Sequence, residues 1–454
     1  MTSRQGNDFP DNLWRPMTQH AAPHPSLKKK FVRAEGCYLY DENGQEYLDA
    51  FAGLLCVNVG YGRKELAEIA AESIAKLSYI SPVYASDGPI ALADRIAGLL
   101  GQTGEVFFSS SGSEANETAF KIARQYHLQS GLSHSHRHKI ISRHRAYHGN
   151  TAAALAATGQ ADRKTGYEPL APGFLHVMPP YSYRAGSGIT AEEHGLSAAQ
   201  AFEEAIIHEG PDSVAAIIME PIMSGGGILI PPDSYLPTVR EICDRYGVLL
   251  IFDEVVSGFG RTGKMFGFEH WGIYADIYTF AKGLSSGYFP IAATFVRDRI
   301  FNSFLGKPEE LKHFRQINTF GGHPVAADIS MENLNIVERE GLLGNAQSQG
   351  DWIRKQLIDE IGDHHNVGEI RGIGLMIGIE LVEDKNTKLP IDGGLIGGVI
   401  SKAFDANIII GRNGTTIPGH SNVVILAPPL TLTRDEAARI VNVLISSIKA
   451  LPRK

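Results

Sequence analysis

The chain has 454 residues, 43% hydrophobic and 20% charged, with 42 basic against 50 acidic side chains and a formal net charge of −8. This is a globular composition, and its mild acidity excludes the basic footprint of a nucleic-acid binder or of a protein held to an anionic membrane surface. No apolar run approaches the roughly 18–20 residues of a membrane span, the N-terminus has no apolar signal core, and Cys37, Cys56 and Cys243 make neither a disulfide framework nor a zinc spacing. A cytoplasmic protein is expected, and at about 150 residues per domain the length predicts two to three domains.

Residues 1–35 are irregular, with Pro10, Pro16, Pro23 and Pro25, and Lys28 to Lys30 read as a solvated turn. Residues 36–51 read as a hairpin around Asp41 to Gly44, where glycine supplies the positive φ of the turn. In 64–77, Leu66, Ile69, Ala70 and Leu77 form a helical stripe. From about 90 to 300, helices alternate with short apolar strands, expected at 105–109, 138–142, 214–219, 248–252, 276–281 and 291–296. Strands apolar on both faces, with helices between them, predict an α/β fold with a mostly parallel central sheet covered on both sides. After about 325, a long helical run (326–360) precedes a strand-like segment at 374–382 and a helix near 395–405. Strands at 407–410 and 423–427 and a last helix at 433–451 complete a smaller α+β domain. The expected division is an N-terminal arm and hairpin (1–65, part of the small domain), a large domain (66–325) and a C-terminal small domain (326–454).

Three segments carry residues suited to chemistry. In 107–124 a strand ends in a Ser/Gly turn, Ser109 to Ser113 around Gly112, that feeds a helix. Free N–H groups and the positive end of the helix dipole suit a phosphate there, although plain N-capping explains the same residues. In 248–263, Asp253 and Glu254 follow an apolar strand at the end where open α/β sheets place ligands. A salt bridge to Arg261 is the competing explanation. In 276–290, Lys282 follows a strand and is hemmed by Gly283, Gly287 and Pro290. A buried ammonium gives up its proton and becomes an amine nucleophile for a carbonyl. Phosphate cradle, carboxylate and strand-end lysine, in that order along one sheet, are together the requirements of pyridoxal phosphate.

The segments SSSGSEANETAFKIAR (109–124), RAYHGN (145–150), MEP (219–221), FDEVVSGFGRTG (252–263), AKGLSSGYFP (281–290) and NTFGGHPVA (318–326) resemble the class III (ω-amino) aminotransferases of fold type I. The resemblance covers nearly the whole chain. Within that family, 54–68, 145–150 and 154–177 look most like the taurine–pyruvate aminotransferases and related amine–pyruvate ω-transaminases.

The resemblance implies pyridoxal 5'-phosphate held as an aldimine on Lys282, which also shuttles the substrate proton. It places Asp253 on the pyridine nitrogen and Ser111, Gly112 and Ser113 around the phosphate. Tyr147 is expected on one ring face, with His148 and Gly149 beside it, and Val255 on the other. Glu220 is expected near the cofactor's phenolic oxygen and an active-site arginine. Thr319 would donate to the phosphate in a neighbouring subunit, so a homodimer or a dimer of dimers is implied.

For substrate, Arg412 matches the mobile arginine that meets the carboxylate of pyruvate, in a loop longer than that of many relatives. It suits the sulfonate of taurine equally. Leu55 stands where many relatives carry Trp and so predicts a roomier pocket, unless Trp14 or Tyr84 refills the space. Trp14 lies in the arm that lines the entrance in the family. The implied reaction is ping-pong transamination from an amine or ω-amino compound (taurine, β-alanine, a diamine or an aryl or alkyl amine) to pyruvate, giving alanine. An aminomutase or racemase on the same fold is the rival, and a PLP-binding scaffold the non-catalytic one. His134, His136 and His138, with His127 and His144 nearby, read as a polar loop tip rather than a metal site.

Overall fold

Phe31–Glu35 (β1), Tyr38–Asp41 (β2) and Glu46–Asp49 (β3) form an antiparallel meander in the computed structural model, which describes residues 9, 11–130, 136–413, 416–417 and 419–452. The hairpin expected around Asp41 to Gly44 is present: Asp41 Oδ1 accepts the N–H groups of Asn43 and Gln45, and Gly44 has φ 80°. β1 was not anticipated. Lys29 pairs with Asp41 at 2.8 Å.

The main sheet contains Gly104–Ser109 (β4), Lys139–Arg143 (β5), Phe174–Val177 (β6), Val214–Met219 (β7), Leu249–Asp253 (β8), Ile277–Phe280 (β9) and Ala292–Arg297 (β10). Their order is β4-β10-β9-β8-β7-β5-β6, and only β10 runs against its neighbours. Every residue of β7, β8 and β9 is buried, as a sheet covered on both faces requires. The helix Gly112–Gln129 turns Ala115, Ala119, Phe120 and Ala123 inward. Phe120 joins Ile140, Ile218 and Ile251 in one apolar cluster. Burying each such Ile or Phe contributes about 1.5–3 kcal/mol. The edge strand β6 escaped the sequence because its four residues are too short to show a period.

Val367–Ile373 (β11) and Met376–Leu381 (β12) pair as a hairpin, joined by Ile408–Ile409 (β13), Gly411–Arg412 (β14) and Val423–Leu426 (β15). β11, β12, β15 and β14 make one sheet, whereas β13 pairs in parallel with β3. The C-terminal segment thus completes the N-terminal meander. The helical run expected at 326–360 is two helices, Pro324–Arg339 and Leu342–Ile361, broken where Gly341 takes φ 62°. Among the described residues no helix is long and apolar enough to cross a membrane.

Because β4, β5, β7, β8 and β9 point the same way, their C-terminal ends share one edge of the sheet. The residues that follow them are brought together there by topology alone.

Candidate active site

β8 ends on Asp253 itself, β7 leads directly into Glu220, β9 runs into Lys282, β5 leads to Tyr147 and His148, and β4 feeds the turn at Ser111. Asp253 is buried and locked. Its Oδ2 accepts from Asn116 Nδ2 at 2.9 Å and lies 2.8 Å from His148 Nδ1, while its Oδ1 accepts the Val255 N–H at 3.1 Å. Asn116 also donates to the carbonyl of His148 at 2.7 Å and accepts from Thr279 Oγ1 at 2.8 Å. A carboxylate has about four lone-pair sites, so one more cationic donor can be received at Oδ1 without any rotation. Asn116 was not singled out from the sequence. Its signal is a polar residue on the same buried stripe as Ala119 and Phe120, one turn into the helix.

The phosphate-like cradle has the space it requires. Ser111 caps the helix through a bond from the Glu114 N–H (3.3 Å), and Ser113 Oγ is engaged with Asn150 at 3.1 and 3.2 Å. A Cβ at Gly112 would stand 3.0 Å from Val255 Cγ1. At Gly149, where φ is 136°, a Cβ would stand 2.5 Å from Ser113 Oγ and 2.8 Å from Ala154 Cβ, so this position requires glycine. Among the described residues, the Gly112 and Ser113 N–H groups of the helix's first turn have no acceptor.

Glu220 is held by its neighbours. Its Oε1 accepts the Tyr147 N–H at 3.1 Å, and its Oε2 accepts from the N–H and hydroxyl of Ser224 at 2.8 and 2.9 Å. No ion pair joins its carboxylate to an arginine among the described residues. Arg143 reaches only its backbone carbonyl, at 2.5 Å. Glu220 therefore fixes the backbone that presents Tyr147.

Lys282 is half-buried and sits at φ 47°, a left-handed conformation that costs a lysine about 1–2 kcal/mol. Its Nζ has no hydrogen-bond partner among the described residues. Burial pulls its pKa below the usual lysine value; Cys56, Asp253 and Glu220 oppose this, and Arg261 adds to it. A lysine so disposed is a ready amine nucleophile.

The substrate residues are less gathered. Leu55 is half-buried at φ 56°, in a segment held by Asp49, which accepts the N–H groups of Phe51 and Gly53 at 2.9 and 2.6 Å. Trp14 is 87% exposed and Tyr84 69% exposed, so neither refills the space at Leu55 within this chain. Arg412 donates through Nε to the carbonyl of Ser421 at 2.5 Å, and its Nη2 lies beside Gly393 in the small sheet's helix layer. Thr319 is exposed, with its carbonyl accepting from Tyr79 OH at 3.0 Å.

Arg261 pairs with neither Asp253 nor Glu254. It donates to the carbonyls of Pro428 and Leu375 and to Asn58 Oδ1, joining the loop to the small sheet. Glu254 turns away from the site, accepting from Ser257 Oγ and the N–H groups of Gly267 and Phe268. Of the histidine cluster, His134 lies outside the described residues. His138 Nδ1 meets the carbonyl of His136, His127 that of Ala215, and His144 stacks on His176. Among the described residues no three His, Cys, Asp or Glu side chains converge as metal ligands.

The donor set fits a phosphorylated heteroaromatic aldehyde: a glycine cradle for the phosphate, a locked carboxylate for a ring N–H and an unpartnered lysine amine for the carbonyl. The family model of the class III aminotransferases matches residues 20–448. The chain belongs to that family. It is a pyridoxal-phosphate-dependent aminotransferase of fold type I. An uncharacterised aminotransferase of Bacillus subtilis (strain 168), YhxA, is 48% identical over 92% of this chain and 91% of its own length. The taurine–pyruvate aminotransferase of Bilophila wadsworthia (strain 3_1_6) is 39% identical over 94% and 93%. An aminotransferase structure from Bacillus anthracis superposes with a TM-score of 0.93 at 46% identity, covering 97% of this chain and 96% of that one.

Proposed function

We propose that this aminotransferase carries an amino group from an amine or ω-amino compound to pyruvate, giving alanine, in a ping-pong cycle. Bound at the strand ends, pyridoxal phosphate supplies an aldehyde for the amino group and an electron-poor ring that acidifies the adjacent carbon. Lys282 would hold the cofactor through its aldehyde and would serve as the base for the proton on the donor's Cα. Asp253, immobilised by Asn116 and His148, keeps the ring nitrogen protonated. Gly112 and Ser113, beside Ser111, would hold the phosphate, and Tyr147 and Val255 would hold the ring.

One observation carries the pyruvate reading: the guanidinium of Arg412 has no carboxylate partner among the described residues and is tied through Nε to a single carbonyl. Its fork is available for a bidentate pair with a keto acid. The likeness to the taurine–pyruvate enzyme of Bilophila wadsworthia supports the same substrate class. Residues 66–325 form the cofactor domain, and 1–65 with 326–454 the small domain. Tyr79, Ile317 and Phe320 are large exposed apolar side chains beside Thr319. Such a surface supports a homodimer in which Thr319 reaches the partner's phosphate site.

The test is a half-reaction screen on the holoenzyme without keto acid, following the cofactor's visible band with taurine, β-alanine, putrescine and (S)-1-phenylethylamine. Bleaching by an amine and recovery with pyruvate, with alanine formed, is the expected result. Racemised or rearranged product without bleaching would replace the transaminase reading with that of a mutase or racemase.

A further inference from the structure

Arg163 is a half-buried guanidinium at the same site that no role has yet absorbed. It lies on the short helix Ala161–Lys164, just after the segment that returns from Tyr147. Its guanidinium carbon stands 4.7 Å from the centroid of the Tyr147 ring, and its Nε donates to Gln160 Oε1 at 2.7 Å. Gln160 is 1% exposed and is itself fixed, its Nε2 donating to the carbonyl of Arg145 at 3.1 Å. The ring and the amide thus hold the guanidinium in place, and its terminal nitrogens have no hydrogen-bond partner and no carboxylate among the described residues.

Two neighbours define where that fork can act. The Ala161 N–H donates to the carbonyl of Thr416 at 3.1 Å, so the turn bearing Arg163 is stitched to the segment that follows Arg412. The carboxylates on this side are already engaged: Glu220 holds Tyr147 N–H and Ser224, and Asp253 holds Asn116, His148 and Val255 N–H. The turn bearing Arg163 and the segment after Arg412 are therefore joined, and among the described residues neither guanidinium has an anionic partner, while Glu220 and Asp253 are engaged by other donors. A planar fork held in advance loses little entropy on meeting a carboxylate or sulfonate, and the same charge repels a distal ammonium.

We propose that Arg163 is a specificity-determining residue, binding the carboxylate or sulfonate at the far end of an ω-amino donor while Arg412 receives the keto acid. The assignment rests on the transaminase reading given above. It predicts donors with an acidic tail, of the β-alanine or taurine type, ahead of diamines.

The experiment compares the wild-type, Arg163→Met and Arg163→Lys holoenzymes in separate half-reactions. Donors are taurine, β-alanine, putrescine and (S)-1-phenylethylamine, and pyruvate serves the return half. The readout is the ratio of kcat/KM for β-alanine or taurine over that for 1-phenylethylamine. Losing a charge-assisted pair should lower this ratio about 10- to 100-fold in Arg163→Met, mainly through KM. Arg163→Lys should recover part of it, putrescine should gain relative to β-alanine, and the pyruvate half should change least. An equal loss with every donor means that Arg163 only steadies Tyr147, and an unchanged ratio means that it binds no tail; either overturns the proposal. So does a wild-type enzyme that aminates pyruvate from apolar amines but refuses acidic-tailed ones. If the wild type aminates pyruvate from no amine at all, it is the transaminase reading that fails.

Discussion

Asn116 Nδ2 bridges Asp253 Oδ2, at 2.9 Å, and the carbonyl of His148, at 2.7 Å, so a single amide on one helix sets the positions of two residues from two strand ends. Both acceptors are buried, and losing the amide leaves each of them short of a donor in a water-poor site. Asn116→Ala should therefore lower kcat by about 10- to 100-fold through misplacement of Asp253. The cofactor should also be released more readily on dialysis. Asp253→Asn, which removes the charge itself, should cost more than Asn116→Ala. Steady-state rates with excess cofactor would separate misplacement from simple cofactor loss, and an Asn116→Ala enzyme with wild-type rates would contradict the bridging role.

Much of this arrangement was legible in the sequence because it depends on local rules. The apolar strands β7, β8 and β9 appear as continuous runs, and parallel topology then puts whatever follows them on one edge. Lys282, Asp253 and Glu220 were found in that way. Asn116 was not, because its role depends on where His148 and Thr279 arrive from distant parts of the chain. The same holds for Arg261 beside Asp253: proximity in sequence suggested an ion pair, but its strand-to-loop geometry sends it to Pro428 and Asn58 instead. Glu220 was located correctly on its strand end, yet its partners proved to be backbone and Ser224, which only the return of the 224–228 turn could supply.

Arg371 joins that turn to the small sheet. It is buried, donates to the carbonyls of Gly227 and Ile228, and pairs with Glu380 at 2.7 Å, which is shared with Arg184 and Tyr181. Arg371→Met keeps the stem but leaves Glu380 short of a partner and two carbonyls without donors. The expected loss is about 3–5 kcal/mol of stability, seen as a lower unfolding midpoint in urea for apoenzyme and holoenzyme alike. A midpoint within error of wild type would show that Arg184 and Tyr181 suffice to satisfy Glu380.

Leu55→Trp addresses pocket size. Leu55 lies in the turn fixed by Asp49, and an indole there would occupy space that neither Trp14 nor Tyr84 fills within the chain. The kcat/KM for (S)-1-phenylethylamine should fall about 10-fold or more relative to taurine, since excluding a bulky group from a filled pocket is worth roughly 1–3 kcal/mol. Equal changes with both donors would place Leu55 outside the pocket.

Glu254 is fully buried with no cationic partner among the described residues, and burial pushes its pKa up to about 7 despite the hydroxyl of Ser257 and the N–H groups of Gly267 and Phe268. A carboxyl whose folded pKa lies above its unfolded value binds its proton more tightly when folded. Its contribution is therefore fully present below the unfolded value and is lost as pH rises through about 7. Glu254→Gln keeps one acceptor oxygen, enough for the Ser257 hydroxyl and the Gly267 N–H, and cannot ionise. The variant's stability relative to wild type should thus improve between pH 5 and pH 8, by on the order of 2–3 kcal/mol, whatever the offset at low pH. Urea midpoints of both proteins at the two pH values measure this. A difference that stays constant, or moves the other way, would mean that Glu254 is ionised throughout and held by its three donors alone.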